Sequence, residues 1–263
     1  MLTFVIPTLG RREEAFKRML RSLENQTNPT FDLVVVSQEN HECVESWLAT
    51  TSITFTHVKM DVKGLSKARN EAWPFIKGDL VTFSDDDCWY PSDTVAYVHK
   101  KMVEEKNEGC CFQIFDPFKE ESYKTYSKQL VRDVSGRMLF RKSSIELFFK
   151  TEAISSLRFH ESFGLGGKYP SGEENLFLHH FVSNGNQLTY FPKVIVYHEK
   201  PSQESRLTES QLISKGPLFK TMYNTPIGFV LLTALFLKKS RYIKNPASCY
   251  SKAVKELIVH NEK

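Results

Sequence analysis

The sequence predicts an α/β domain built on a mixed, mainly parallel sheet flanked by helices, with a helical appendage at its C-terminal end. Three observations predict it. Short apolar, β-branched runs alternate with segments of helical periodicity along the N-terminal part of the chain. An acidic triplet, Asp85-Asp86-Asp87, stands directly after one of those runs. Beyond position 206 the pattern turns helical with no strand between the helical stretches.

The elements follow in order. Leu2-Thr3-Phe4-Val5-Ile6 reads as a buried parallel strand, stopped by Pro7-Thr8-Leu9-Gly10. Arg11 to Asn25 carries Phe16, Met19, Leu20 and Leu23 at helical spacing. Phe31 to Val36 is a second strand, ending in Ser37-Gln38-Glu39-Asn40; a helix near Glu42 to Ala49 and a third strand near Ile53 to Val58 follow. Gly64 to Phe75 is a loop entering a helix, and Asp79 to Ser84 is a fourth strand that runs into the acidic triplet. Pro91 to Lys106 is helical. From Gly109 onward short strand-like pieces alternate with loops, among them Gly164-Leu165-Gly166-Gly167. Glu173 to Ser183 is a helix, Gln187 to Val196 a strand ending at Tyr197-His198, and Leu207 to Met222 a helix. Thr225 to Leu237 is nearly all apolar and meets the basic Lys238-Lys239-Ser240-Arg241.

Composition narrows the function classes. The 263 residues are 41% hydrophobic and 25% charged, which excludes disorder, collagen and coiled coil as whole-chain answers. A net charge of +4 is too small to argue for nucleic acid, and no RNA or DNA motif accompanies it. The 5 cysteines are odd in number and show no CxxC spacing, so neither a disulfide framework nor a structural zinc site is expected. The opening MLTFVIPTLGRR has no basic region ahead of an apolar stretch, so no signal peptide is read, and a cytoplasmic location is expected.

Three adjacent carboxylates at a strand end repel one another, and a divalent cation relieves the conflict. Oxygen ligands suit magnesium or manganese, which also carry phosphate oxygens. In an extended segment Asp85 and Asp87 point one way and Asp86 the other, so a metal–diphosphate could be held from one side while Asp86 meets a sugar or ribose hydroxyl. A solvated acidic turn is the plain alternative for an isolated triplet. The apolar strand before it and Trp89-Tyr90-Pro91 after it favour a site.

The chain resembles glycosyltransferase family 2, with its GT-A fold, a Rossmann-like, mainly parallel sheet. The resemblance lies in Phe4-Val5-Ile6-Pro7-Thr8 with Arg11, in Gly64-Leu65-Ser66-Lys67-Ala68-Arg69-Asn70, in Phe83 to Pro91 around the triplet, in Ser171-Gly172-Glu173-Glu174, and in the strand ending at His198. It covers about 2–206, implying a catalytic domain with a nucleotide-sugar half to about 108 and an acceptor half over 109–206; 207–263 is the helical appendage. By resemblance, Pro7, Thr8, Arg11, Gln38 and Glu39 hold the nucleoside, although Ser37-Gln38 replaces the acids usual after the second strand. Lys67 and Arg69 border the donor, Asp86 orients it, and Asp87 and Asp85 hold the cation, with His198 approaching it. The catalytic base is Glu174, with Glu173 its close competitor, because the family's Glu-Asp is Glu-Glu here. Trp89 offers a sugar platform, with a core role the alternative.

The implied activity is metal-dependent, inverting transfer of a sugar from a nucleoside diphosphate sugar, UDP-linked by preference, to a hydroxyl of a saccharide or lipid-linked saccharide, in surface-polysaccharide assembly. A nucleotidyltransferase is the first rival, although Thr8-Leu9-Gly10-Arg11-Arg12 has a single glycine where that class uses a glycine-rich phosphate loop. A non-catalytic nucleotide-sugar-binding subunit is the second. The Thr225–Leu237 run would be about 20 Å long as a helix, too short to span a bilayer. It reads either as a buried helix or as a segment lying on an anionic membrane surface.

Overall fold

The structure is a computed structural model that describes residues 1–105, 107–201 and 208–261. Its centre is an eight-stranded sheet among the described residues, in the order β3-β2-β1-β4-β7-β5-β6, with β8 also paired to β5. Strands β1 (Leu2–Thr8), β2 (Phe31–Ser37), β3 (Phe55–Lys59) and β4 (Leu80–Phe83) are mutually parallel. Every residue of β1, β2 and β4 is buried, which is why these strands read as continuous apolar runs instead of alternating ones. Polar residues inside that layer are bonded: Thr3 Oγ1 donates to Asp32 Oδ1 at 2.7 Å and Thr82 Oγ1 to the Leu147 carbonyl at 2.8 Å.

Helices α1 (Glu13–Glu24), α2 (His41–Leu48) and α4 (Thr94–Glu104) cover one face of the sheet. The other face packs against α3 (Leu65–Glu71) and α5 (Glu173–Ser183). In α1 the buried residues are Phe16, Met19, Leu20 and Leu23, the apolar stripe of an amphipathic helix. The second half of the chain continues the same sheet. Strand β7 (Leu147–Lys150) pairs antiparallel with both β4 and β5 (Gly109–Asp116), β6 (Glu121–Ser122) pairs antiparallel with β5, and β8 (Leu188–Tyr197) runs parallel to β5.

This connectivity decides where a site can form. From β1 the chain steps outward to β2 and β3, then returns to place β4 on the opposite side of β1. The carboxyl ends of β1 and β4 therefore flank a topological switch point, the usual ligand crevice of an open α/β sheet. Pro7-Thr8 and Asp85-Asp86-Asp87 both emerge there.

The C-terminal part differs from its sequence reading in three ways. The single helix expected over 207–222 is two, α6 (Glu209–Ile213) and α7 (Lys215–Met222), meeting at Ser214; Leu207 and the boundary drawn at 206/207 lie outside the described residues, as does Lys106. Pro217 sits in the first turn of α7, where its missing N–H costs no helical bond. Helix α8 (Thr225–Lys239) is followed by α9 (Pro246–Val259), an element beyond those expected. Gly216 permits α7 to lie against α9, since a Cβ there would stand 2.3 Å from the Ala253 carbonyl oxygen. The apolar α8 is neither wholly buried nor wholly free. Gly228, Leu232 and Phe236 pack into the helical layer, while Phe229, Val230 and Leu237 are exposed. Among the described residues no helix is long and apolar enough to cross a membrane.

Candidate active site

A cavity of about 590 Å³ opens at the switch point. Its floor begins where β1 ends. Gly10 adopts a left-handed conformation (φ +64) and packs so closely on Asn40 that a Cβ would meet the Asn40 Cβ at 2.8 Å. The tight turn sends Arg11 toward Glu39 and Arg12 toward the acidic triplet.

The triplet forms a turn, with Cys88 N donating to Asp85 O at 3.3 Å, where an extended segment was expected, yet its side chains still divide. Asp86 faces β1: Thr8 Oγ1 donates to Asp86 Oδ2 at 2.6 Å, and Arg12 Nη2 lies 2.5 Å from Asp86 Oδ1. Burial nevertheless pushes the Asp86 carboxyl up to about 6, against the pull of Arg12 and Thr8. Asp85 and Asp87 face the other way, toward His198 at the end of β8. His198 Nε2 lies 3.2 Å from Asp87 Oδ1, and Arg12 pairs with Asp87 from the opposite side. Burial works against the Asp87 charge, but His198 and Arg12 outweigh it and hold the carboxyl below its usual range. For His198 burial disfavours the cation, yet the Asp87 carboxylate prevails and the imidazole titrates above its ordinary value. Asp85 is raised, first by burial, with Arg69 opposing.

Ligand atoms of Asp85, Asp87, Cys88 and His198 lie within 4.8 Å of one another. Two carboxylates and an imidazole suit a hard or borderline divalent cation. The Cys88 thiol is fully buried, and burial followed by the Asp85 and Asp87 charges pushes its pKa well up, so it stands behind this group as a neutral thiol. Its place beside the triplet is the only sequence signal that could have drawn attention to it.

Across the cavity lies the glutamate pair. Gly172 (φ +110) turns the chain into α5, and Glu173 and Glu174 occupy its first turn, where the helix dipole favours negative charge. Glu174 borders the cavity and is half-buried, whereas Glu173 is buried. Burial, reinforced by the Glu174 charge and opposed by Arg69, pushes Glu173 up to about 8. Arg69 is fully buried between the two acidic groups: its Nη2 lies 3.4 Å from Asp85 Oδ1 and 2.8 Å from Ser144 Oγ, and its Nη1 lies 3.9 Å from Glu173 Oε1. It therefore forms a charged wall linking triplet and glutamates.

Three residues reach the site that the sequence pattern did not single out. Lys63 lines the cavity and pairs with Glu39, which itself lies behind the lining. Lys215, from α7, is half-buried near the glutamates, with its Nζ 3.4 Å from Ser171 Oγ; burial lowers its pKa while Glu174 and Glu173 pull it upward. Arg12 is a third, overshadowed in sequence by its neighbour Arg11. The Gly164–Gly167 loop forms a further wall. Leu165 O accepts from Leu65 N at 2.8 Å, and a Cβ on Gly166 (φ +80) would meet Gly64 Cα at 3.1 Å.

Among the other expected residues, Pro7, Thr8, Arg11 and Gln38 line the cavity, and Gln38 Oε1 accepts from Gly64 N at 2.6 Å, holding the loop in place. Lys67 and Trp89 fall outside the lining. Lys67 lies along Gly64 on α3, and Trp89 is occupied elsewhere, stacked beneath the Arg18 guanidinium at 3.9 Å and packed on Phe118 and Tyr197. Tyr90 is a core residue bonded to Ser84.

The sequence model of Glycosyl transferase family 2 matches residues 3–163. An uncharacterized glycosyltransferase, YfnE of Bacillus subtilis (strain 168), is 23% identical over 141 residues, covering 51% of this chain and 36% of that protein. Glycosyltransferase GlyA of Streptococcus pneumoniae serotype 4 is 29% identical over 108 residues, covering 39% of this chain and 15% of that protein. The chain thus spans well under two thirds of either relative. Among solved structures, S. aureus TarS 1-349 in complex with UDP-GlcNAc superposes with a TM-score of 0.72 at 19% identity, covering 98% of this chain and 80% of that one. The mannosyltransferase PcManGT of Pyrobaculum calidifontis, in complex with GDP-Man and Mn2+, superposes with a TM-score of 0.60 at 14% identity, covering 99% and 88%. With the GT-A sheet in place and a family match running from β1 past β7 to the glycine loop, the chain belongs to glycosyltransferase family 2.

Proposed function

We propose that this chain transfers a sugar, with inversion, from a nucleoside diphosphate sugar to a hydroxyl of a saccharide or lipid-linked saccharide acceptor in cell-surface polysaccharide assembly. The observation that carries this reading is the convergence of Asp85, Asp87 and His198 with the Glu173–Glu174 pair on one cavity at the switch point. The nucleoside lies toward Pro7, Thr8, Arg11 and Gln38, with Lys63 and Arg12 facing the diphosphate charge. A divalent cation, manganese or magnesium, held by Asp85, Asp87 and His198 would offset the charge on the departing nucleoside diphosphate. Arg69 holds Asp85 in place from within the wall. Glu174 takes the proton from the acceptor hydroxyl as its oxygen bonds to the anomeric carbon and the bond to the diphosphate oxygen breaks. Burial and the neighbouring Glu174 charge favour the protonated form of Glu173, and Glu174 is the less buried of the two, which supports Glu174 as the base. A UDP-sugar is the preferred donor, because TarS is seen with UDP and with UDP-GlcNAc at the higher TM-score; the GDP-Man of PcManGT makes guanine the second choice.

The test is transfer by Glu174→Gln and Asp87→Asn. Both variants should fold like the parent and lose at least about a hundredfold in turnover, the usual scale for removing a general base or a charge-stabilising group. A folded Glu174→Gln enzyme of undiminished turnover contradicts the base assignment.

We also place the enzyme at the cytoplasmic face of an anionic membrane. Exposed Phe229, Val230 and Leu237 on α8 adjoin Lys238, Lys239, Arg241 and Lys244, and no acidic residue lies between positions 225 and 245.

A further inference from the structure

Beyond the catalytic cavity, three adjoining concavities of about 890, 410 and 260 Å³ all share Lys124 and Thr125, forming one groove along the segment after β6. The groove is basic. Lys124, Lys128, Arg141, Lys142 and Lys200 line it. Two of these charges are already answered: Lys124 Nζ lies 2.6 Å from Glu146 and Lys200 Nζ 2.9 Å from Glu121. Lys128, Arg141 and Lys142 have no ion-pair partner among the described residues; Arg141 donates to the Thr125 carbonyl, and Lys142 lies over the Tyr190 ring at 4.6 Å. The groove is also aromatic. The Tyr126 and Tyr190 rings are parallel within 5° with centroids 6.3 Å apart, and Tyr190 is fixed by Gln113 and the Ser127 carbonyl.

The groove lies beside the catalytic cavity, with Tyr123 between them. Tyr123 lines the groove and meets His198 edge to face, with centroids 5.5 Å apart, while His198 contacts Asp87. Lys124 lies within electrostatic reach of Glu174. We propose that this groove binds the acceptor, and that it selects a saccharide or polyol chain bearing anionic groups, phosphodiester or carboxylate, drawn in by the exposed Lys128 and Arg141 and resting against the half-buried Tyr126, behind which Tyr190 and Lys142 are buried. The proposal rests on the glycosyltransferase reading and names its acceptor class. Its reasoning is electrostatic: two exposed cations without an ion-pair partner among the described residues, beside the Tyr126 ring, favour negative charge on the ligand, whereas a neutral sugar gains only the ring contact.

The test is equilibrium binding of the full chain to four probes at low salt: a glycerol phosphate hexamer, a galacturonate hexamer, a neutral maltohexaose and a single-stranded RNA hexamer. The phosphodiester and carboxylate arms identify the source of the charge. The expected result is at least about tenfold tighter binding of one of the two charged glycan-type probes than of maltohexaose, weakening as salt rises. The exposed-site double variant Lys128→Glu/Arg141→Glu should lose about tenfold of that affinity while keeping the unfolding midpoint of the parent and its response to UDP. Equal binding of maltohexaose, tighter binding of the RNA, or unchanged affinity in the double variant would overturn the groove assignment. A parent chain that fails to bind any nucleoside diphosphate would instead overturn the glycosyltransferase reading beneath it.

Discussion

Asp86 and Asp87 are neighbours in sequence with opposite electrostatic fates. Asp86 turns to Thr8 and Arg12, and burial still carries its carboxyl up to about 6. Asp87, gripped by His198 and Arg12, stays below the ordinary carboxylate range. The glutamates divide in a similar way: both line the cavity, but Glu173 is buried while Glu174 is half-buried. The buried Glu173 makes a signed prediction. Its carboxyl titrates near 8 in the folded chain against 4.5 ordinarily, so between those values the folded state holds a proton that the unfolded state releases. The stability this contributes is fully present below about 4.5 and is lost as pH rises toward and through 8. Glu173→Gln removes the titration. Relative to the parent, its unfolding midpoint should rise as pH goes from 5 to 9, by roughly 2–4 °C for each kcal/mol recovered. Parallel midpoint-versus-pH curves for the two proteins would exclude this environment for Glu173. At this scale the triplet was legible because three consecutive acids at a strand end carry their own signal, whereas the glutamate pair and His198 stood out only through the family resemblance. Arg12, Lys63 and Lys215 were not, because long side chains reach the site from three separate segments and nothing local marks where they end.

At the scale of elements, the site depends on turns that only glycine makes without strain. The loop at Gly164–Gly167 holds the Gly64 segment through the Leu65–Leu165 backbone bond, and Gly166 combines φ +80 with a 3.1 Å approach to Gly64 Cα. Gly166→Ala therefore faces both a left-handed backbone, about 1–2 kcal/mol for a residue with a Cβ, and a crowded neighbour. Its expected signature is a weaker affinity for UDP, by about tenfold, because Gly64 and Leu65 line the cavity with Gln38; calorimetric titration of UDP into the variant measures it. Unchanged affinity would show that the loop does not shape the nucleotide end. The parallel strands and their helices read from sequence because the short apolar runs are β-branched and bounded by turn residues, while α1 carries a 3.6-residue stripe. The second half read only as alternating pieces. Strand β6 is two residues long and β7 four, too short to show a period, and the antiparallel pairing of β7 to the distant β4 leaves no local trace.

Over the whole molecule, the appendage does more than extend the fold. It packs as a helical layer on Phe163, Tyr169 and Leu176, and it sends Lys215 to the glutamate pair. Its outer face carries exposed apolar residues of α8 beside a basic cluster, and α9 adds exposed Ile258 and Val259. The full chain is expected to sediment with vesicles containing anionic lipid and to remain in the supernatant with neutral ones. Lys238→Glu/Lys239→Glu should reduce the bound fraction severalfold, since each basic residue near the surface is worth about 1 kcal/mol. Equal partition onto neutral and anionic vesicles would refute the surface reading. The apolar run of α8 left buried helix and surface helix open in sequence, because one helix supplies both faces.

The central claim is that Asp85, Asp87 and His198 together hold a divalent cation against a nucleoside diphosphate. The most direct measurement is thermal unfolding with UDP, with manganese, and with both, for the parent chain and for Asp87→Asn. In the parent, UDP with manganese should raise the midpoint beyond the sum of the separate effects, since a ligand at about a hundred times its Kd stabilises by about 2.7 kcal/mol. In Asp87→Asn that cation-dependent increment should vanish while the fold persists. A parent chain whose response to UDP is the same in manganese and in chelator, or a variant that keeps the full increment, would contradict the claim.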